Sequence, residues 1–235
     1  GWLKWKPEED QWALFDLKSD YSQSKDVSAQ FPEKLAELKR KFDEDAISNH
    51  VYPIGASFTR IFDMDRQTQT EWHFGPDYNR QPELAAPNIK SRNNVVTVDA
   101  NFPERANGVL FKLGSTSAGI TLYVMDGHLT YEYNGFSFDR TRIRASQPLP
   151  AGRAKVEVEL TMASRKRGGP ATAVMRVNGK EAGSASIPLT APVVFTPTGT
   201  FDVGQNLGSP VSLEYAGRGA FAFNGTIRDV MVQYK

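Results

Sequence analysis

The chain has 235 residues, and its 28 lysines and arginines nearly balance its 27 aspartates and glutamates, leaving a net charge of +1. So small a net charge gives no electrostatic indication of a nucleic-acid partner. The chain contains no cysteine, which excludes disulfides, thiolate metal sites and a cysteine nucleophile without fixing the compartment. No apolar run approaches the roughly 20 residues of a membrane-spanning helix, so we expect no membrane partner.

Residues 1–50 predict strands followed by one helix. The opening residues 1–6 are typical of a strand, and the apolar run 12–17 follows shortly after them. Over about 31–49, apolar residues recur at spacings of three and four, which predicts an amphipathic helix. Pro32 suits the first turn of that helix, where its missing N–H group costs nothing. The apolar positions are Phe31, Leu35, Leu38, Phe42 and Ala46.

Residues 51–92 predict an ordered connector without regular secondary structure. Prolines and glycines interrupt this segment, yet it contains too many aromatic residues for a disordered linker. Long connections of this kind are often functional. His73 lies between Trp72 and Phe74, where a polar side chain among aromatic ones would help to line a pocket, with simple packing as the alternative.

From residue 93 to the end, the pattern predicts an antiparallel sandwich of two β-sheets. Apolar and polar residues alternate over 96–102 and 155–162, as in strands with one buried face. The pairs Asp126-Gly127 and Asn178-Gly179 predict two tight hairpins. In the last strand, 225–234, the alternation slips near Asp229, which predicts a β-bulge. Many short strands separated by turns are typical of a sandwich.

Few side chains in the sequence are suited to catalysis or metal binding. The segment Asp202 to Asn206 has some character of a calcium loop, but a single carboxylate favours a structural turn. The histidines share no metal-type spacing; they are His50, His73 and His128. We therefore predict no catalytic residue, no metal site and no cofactor on this chain.

The first 50 residues resemble the C-terminal subdomain of the arylsulfatase family. In that family a W-x-L-[FY]-D-L strand precedes an acidic turn and a P-E-K-L helix, and residues 12–17, Asp20, Asp26 and 32–35 match these motifs. Tyr21 departs from the proline that is usual in the turn. Later segments resemble long bacterial arylsulfatases that carry an extra C-terminal sandwich of the laminin-G or concanavalin type. These segments are residues 86–92, 149–152, 201–204, 208–211 and 223–227.

The resemblance implies a mainly β fold, with a jelly-roll or concanavalin-like sandwich preceded by a strand-plus-helix remnant of the sulfatase C-terminal α/β subdomain. The expected divisions are residues 1–50 for this remnant, 51–92 for the connector and 93–235 for the sandwich. Sulfatases hydrolyse sulfuric esters with a formylglycine and a calcium ion. The C/S-x-P-x-R motif that yields formylglycine is absent from the sequence. The resemblance therefore places formylglycine and calcium in a catalytic part upstream of Gly1.

On this view the chain is the non-catalytic C-terminal part of a bacterial arylsulfatase, periplasmic or cytoplasmic. Its expected partners are the sulfatase catalytic domain or chain upstream of Gly1 and, through the sandwich, further copies of itself. The connector would supply walls of the substrate pocket. The cationic and aromatic side chains suited to an aryl sulfate are Arg60, Arg66, Trp72 and His73.

The alternative is a carbohydrate-binding, lectin-like module. Such a module stacks sugars on exposed aromatic side chains, and the candidates are Tyr131, Tyr133 and Phe136. The alternation that places Tyr131 and Tyr133 on one side of a strand fits equally well with a sandwich core whose hydroxyl groups reach its rim.

Overall fold

A computed structural model of the chain describes residues 10–49, 51, 69–76, 78–164 and 166–235. The chain divides into two units, residues 1–67 and 68–235. Each unit is described by itself.

The described part of the first unit contains turns and one helix, α1 (Pro32–Ser48), which agrees with the predicted span of about 31–49. Pro32 lies in the first turn, as expected. The strand predicted over 12–17 is absent, because no strand among the described residues of this unit lies beside it to complete its hydrogen bonds. The predicted strand 1–6 lies outside the described residues.

Residues 69–235 form the predicted sandwich of two antiparallel sheets, each with six strands. In spatial order, sheet A consists of β1 (Glu71–Phe74), β12 (Thr226–Tyr234), β3 (Asn94–Phe102), β8 (Gly152–Met162), β9 (Ala171–Val177) and β10 (Lys180–Ile187). Sheet B consists of β2 (Gln81–Pro82), β11 (Thr200–Val203), β4 (Gly108–Gly114), β5 (Gly119–Met125), β6 (His128–Gly135) and β7 (Asp139–Arg144). One apolar core fills the space between the sheets.

The local turn signals of the sequence are confirmed. Asp126 and Gly127 join β5 to β6 with φ angles of 50° and 80°. Asn178 and Gly179 join β9 to β10 with φ angles of 49° and 78°. Positive φ at both central positions is what type I′ turns require. In β12 the register shifts between Ile227 and Asp229, so the bulge lies where the alternation slips.

Strands β1 and β2 lie within the segment that the sequence pattern assigns to an irregular connector. β1 pairs with β12 and β2 pairs with β11. Phe74 of β1 packs in the core, with its ring centroid 4.9 Å from that of Phe201. Strands of four and two residues are too short to show a clear alternation. The sandwich therefore includes residues on the N-terminal side of 93.

Strands β4 and β5 are buried on both faces, and β6 nearly so. The outer face of sheet B is covered by residues 204–225, which we call the roof segment. The roof contains a short 3₁₀ helix (Leu213–Arg218). Within it, the buried Tyr215 packs 5.1 Å from the ring of Tyr123 on β5, and its hydroxyl donates to Thr121 at 3.1 Å. The roof thus gives sheet B a second buried layer, which contains polar side chains.

A buried ion pair lies beneath one end of the roof. Lys112 Nζ lies 2.8 Å from Asp202 Oδ2, with side-chain exposures of 1% and 0%. The same carboxylate accepts hydrogen bonds from the backbone N–H groups of Arg80, at 2.6 Å, and of Leu207 in the roof, at 3.1 Å. The residue that the sequence offered as a calcium ligand therefore binds a lysine. Burial lowers the pKa of Lys112, while the hydrogen bond to Asp202 opposes this shift.

We expect Lys112→Met to lower the free energy of unfolding by about 3–5 kcal/mol, because it leaves a buried carboxylate without its cation. The double variant Lys112→Met/Asp202→Asn should recover part of this loss, since the amide carries no charge. Chemical denaturation of wild type, both single variants and the double variant measures the coupling. A loss below about 1 kcal/mol for Lys112→Met would contradict the assigned role of the pair.

Candidate functional site

Three arginines alternate along β7, the edge strand of sheet B. Arg140, Arg142 and Arg144 occupy every second position, so their side chains lie on the same face of the sheet. They pair in register with outward residues of β6. We call this group the arginine row.

The buried carboxylate of Glu132, on β6, holds two members of the row. It accepts hydrogen bonds from Arg140 Nη1 at 2.8 Å and from Arg142 Nε and Nη2 at 3.0 and 2.9 Å. Ser212 Oγ of the roof donates to it at 2.6 Å. Four donors to one fully buried carboxylate fix the guanidinium planes of both arginines.

The free side of Arg142 faces a second carboxylate, that of Glu214 in the roof. Arg142 Nη1 lies 2.7 Å from Glu214 Oε1, and the Tyr123 hydroxyl donates to Oε2 at 2.6 Å. The Arg142 and Glu214 side chains are 35% and 30% exposed, so solvent reaches this contact. Burial, and then the hydrogen bond to Glu214, raise the pKa of Tyr123, which keeps its hydroxyl a donor.

Arg144, at the end of the row, has no carboxylate partner among the described residues. Its side chain donates to the Met125 carbonyl at 3.4 Å and is otherwise exposed. Thr130, its register partner on β6, has a buried hydroxyl without a hydrogen-bond partner in the described chain. Buried polar groups nearly always have partners. An available cation and an unpaired hydroxyl therefore lie side by side.

At its exposed end, Arg144, the row has the chemistry of anion recognition. Guanidinium groups present paired donors that match the oxygens of carboxylate and sulfate.

Within the described ranges, no group of three or more His, Asp or Glu side chains could hold a metal ion. No helix in those ranges is long and apolar enough to cross a membrane.

A second polar cluster lies on the outer face of sheet A, around His73 of β1. His73 Nδ1 lies 2.7 Å from Asp229 Oδ2, and Nε2 lies 3.0 Å from Glu71 Oε1. Gln233 donates to the other oxygen of Glu71 at 2.6 Å. The hydrogen bonds to Asp229 and then to Glu71 raise the pKa of His73. This cluster joins the edge strand β1 to the β12 bulge.

The pocket residues proposed from the sequence are only partly within the described chain. Trp72 and His73 are neighbours on β1 and point to opposite faces. The Trp72 ring packs inward, 4.6 Å from that of Tyr234. Neither residue lines the cavities of about 680 and 230 Å³ in the sandwich. Arg60 and Arg66 lie outside the described residues, so a pocket formed by these four side chains stays a prediction.

Two of the three aromatic residues proposed to stack sugars are buried. Tyr131 and Tyr133 are buried in the core, so their rings cannot meet a ligand, and their assignment to the core is confirmed. The Tyr133 hydroxyl donates to the Lys90 carbonyl at 2.9 Å and accepts from Ala191 N–H at 2.8 Å. Phe136 is half-buried, with its ring 6.2 Å from that of Phe195.

The arginine row was not identified from the sequence, although a signal for it exists. Residues 139–144 read D-R-T-R-I-R, in which cationic residues occupy every second position of a short strand. Glu132 lies on β6, Tyr123 on β5 and Glu214 in the roof. The sequence does not show that these three residues meet β7, because they come from separate segments of the chain.

No protein-family model and no curated protein matches the chain. The resemblance to arylsulfatases therefore gains no support from these comparisons. Solved structures do show similarity to the sandwich, at low identity. Because the identities are below 25% and the TM-scores below 0.5, these similarities concern the β-sandwich alone.

One similar structure is the CBM40 carbohydrate-binding module of the Ruminococcus gnavus IT-sialidase, bound to α2,6-sialyllactose. The identity is 14% and the TM-score is 0.47, and the match covers 70% of this chain and 90% of that chain. A second is a variant of NanB sialidase from Streptococcus pneumoniae (13% identity, 68% of this chain, TM-score 0.46), of which the match covers 26%. A third is mouse laminin α1, domains LG4-5 (15% identity, 70% and 38% covered, TM-score 0.39).

The His73 cluster predicts a pH dependence of stability. A histidine whose pKa is raised by folding stabilises the fold fully below its unfolded pKa of about 6.5 and loses this contribution as pH rises through the folded value. We expect the melting temperature of wild type to exceed that of His73→Gln most at about pH 6 and least at about pH 9. Thermal denaturation across this range measures the difference. A difference that does not change with pH would contradict the assignment.

Proposed function

We propose that the chain is a non-catalytic, lectin-like carbohydrate-binding module that binds an acidic sugar at the arginine row. The observation that carries this proposal is the end of the row, where Arg144 is exposed without a carboxylate partner among the described residues. An acidic sugar bound along the row would accept charge-assisted hydrogen bonds from this cation.

The support of the row favours binding over catalysis. The arginines lie on a strand, and the buried Glu132 fixes two of them before any ligand arrives. Such preorganisation lowers the entropy lost on binding. Glu132 and Glu214 are the acids beside the row, and each is bound by Arg142. Glycoside hydrolysis needs a carboxyl group free to protonate the leaving oxygen. These two acids are instead engaged in holding the arginine.

Binding should depend on Arg144. We expect Arg144→Ala to weaken binding of an acidic sugar about tenfold, since a charge-assisted hydrogen bond contributes roughly 1.5 kcal/mol or more. The probes are N-acetylneuraminic acid and glucuronic acid, with N-acetylglucosamine as the neutral comparison, and the measurement is isothermal titration calorimetry.

Arg105→Ala is the matched control, because it removes the same charge from an exposed turn and should leave the affinity unchanged. If wild type binds no acidic sugar, or if both variants bind alike, the proposal fails.

A second candidate function concerns the first unit. In residues 10–49 and 51, Ala46 is the single buried side chain, while large apolar side chains are exposed. The exposed residues are Trp12, Leu17, Tyr21, Phe31, Leu38, Phe42, Ile47 and Val51. Exposed apolar surface of this extent marks protein contacts. It favours the proposal that this unit packs against a sulfatase catalytic part, which would contain the formylglycine and the calcium ion.

The test is association of the full chain with a bacterial arylsulfatase catalytic domain in sedimentation velocity. Leu38→Glu should weaken the complex at least about tenfold, because it would bury a charge in an apolar contact. Ser48→Glu, which adds the same charge at an exposed polar position of α1, is the control. Absence of a complex with wild type would exclude this candidate.

A further inference from the structure

We infer that Glu214 occupies the position of a ligand carboxylate, so that Arg142 and Tyr123 form a carboxylate receptor that the chain fills with its own side chain. This inference rests on the proposed function and specifies its ligand class. It also assigns Glu214 a regulatory role, since an acidic sugar must displace it. Its basis is the geometry around one carboxylate.

Two donors from different strands converge on Glu214. Arg142 on β7 contacts one of its oxygens at 2.7 Å, and the Tyr123 hydroxyl on β5 contacts the other at 2.6 Å. This is a two-point recognition of a planar group by one cationic and one neutral donor. Any carboxylate placed there would accept the same two hydrogen bonds.

The receptor does not depend on Glu214 for its shape. Glu132 holds the opposite edge of Arg142 through Nε and Nη2, at 3.0 and 2.9 Å. Tyr123 is fully buried and packs against Tyr215, with 5.1 Å between the ring centroids. Both donors therefore stay in place when the Glu214 side chain rotates away.

The two carboxylates that bind Arg142 differ in their surroundings. Glu132 is fully buried and accepts four hydrogen bonds, so removing it would leave four donors without their shared acceptor. Glu214 is 30% exposed and lies on the short 3₁₀ helix of the roof. A partly exposed ion pair contributes little free energy. Of the two, Glu214 is the carboxylate that a ligand can replace.

The position of the receptor agrees with the rest of the row. Arg142 and Arg144 lie two residues apart on one face of β7. A sugar whose carboxylate replaced that of Glu214 would extend towards the exposed Arg144. The displaced Glu214 would move into solvent. Wild type binds ligand only when Glu214 is displaced. Its apparent affinity for the ligand is therefore the affinity of the open receptor multiplied by the fraction of molecules in which the receptor is open.

Glu214→Ala should therefore bind glucuronic acid and N-acetylneuraminic acid about tenfold more tightly than wild type. Titration calorimetry measures this change, with glucose 6-sulfate as the sulfate probe and N-acetylglucosamine as the neutral probe. The gain should be larger for the carboxylates than for the sulfate. Adding Tyr123→Phe to Glu214→Ala should remove much of the gain, because one of the two donors is lost.

Glu104→Ala is the matched control, because it removes an exposed carboxylate from the turn before β4 and reports the effect of net charge alone. Thermal denaturation monitors the fold of every variant. If Glu214→Ala does not fold, Glu214→Gln replaces it, with a smaller gain expected because the amide still accepts from Arg142.

The inference is overturned if wild type binds acidic sugars and the Glu214 variant binds them no more tightly. It is also overturned if the increase in affinity of the Glu214 variant is no larger than that of Glu104→Ala. In either case the proposed function survives. If neither wild type nor the Glu214 variant binds an acidic sugar, the proposed function fails as well.

Discussion

The buried carboxylate of Glu132 is the group on which the organisation of sheet B's outer face depends. An ionised carboxylate is stable away from water only when donors surround it. Here two arginines of β7 and a serine of the roof provide them. One electrostatic requirement therefore orients two members of the arginine row, attaches the roof and joins β6 to the edge strand. The other donors of Arg140 bind the carbonyls of Val211 and Thr116, at 3.0 and 3.1 Å, and Nη1 of Arg142 binds Glu214.

The roof decides where this sandwich can bind anything on sheet B. Residues 204–225 cover strands β4 to β6, and the buried Lys112–Asp202 pair anchors the roof at its start. Glu132 anchors it further along, through Ser212. Among the described strands of sheet B, the exposed charged side chains of the outer face lie on β7. A ligand that binds these cations would therefore do so at the β7 edge, where Glu214 of the roof competes with it.

The two proposals concern different parts of the chain and do not exclude each other. The arginine row belongs to the sandwich, whereas the exposed apolar side chains belong to residues 10–51. An acidic sugar and a sulfatase partner would require different surfaces, one cationic and preorganised, the other apolar.

The sequence by itself determined the features that arise from neighbouring residues: helix α1, the two Asx-Gly hairpins, the bulge near Asp229 and the class of fold. Each depends on local backbone preference or on the period of apolar residues. Only the tertiary structure decided that Lys112 and Glu132 are buried, that Tyr131 and Tyr133 belong to the core, and that the roof covers sheet B. The reason is physical, since a polar side chain can be buried only when distant segments bring its partners to it. Asp202 lies about 90 residues from Lys112. Ser212 lies 80 residues from Glu132, whose two arginine partners are nearer, on the next strand.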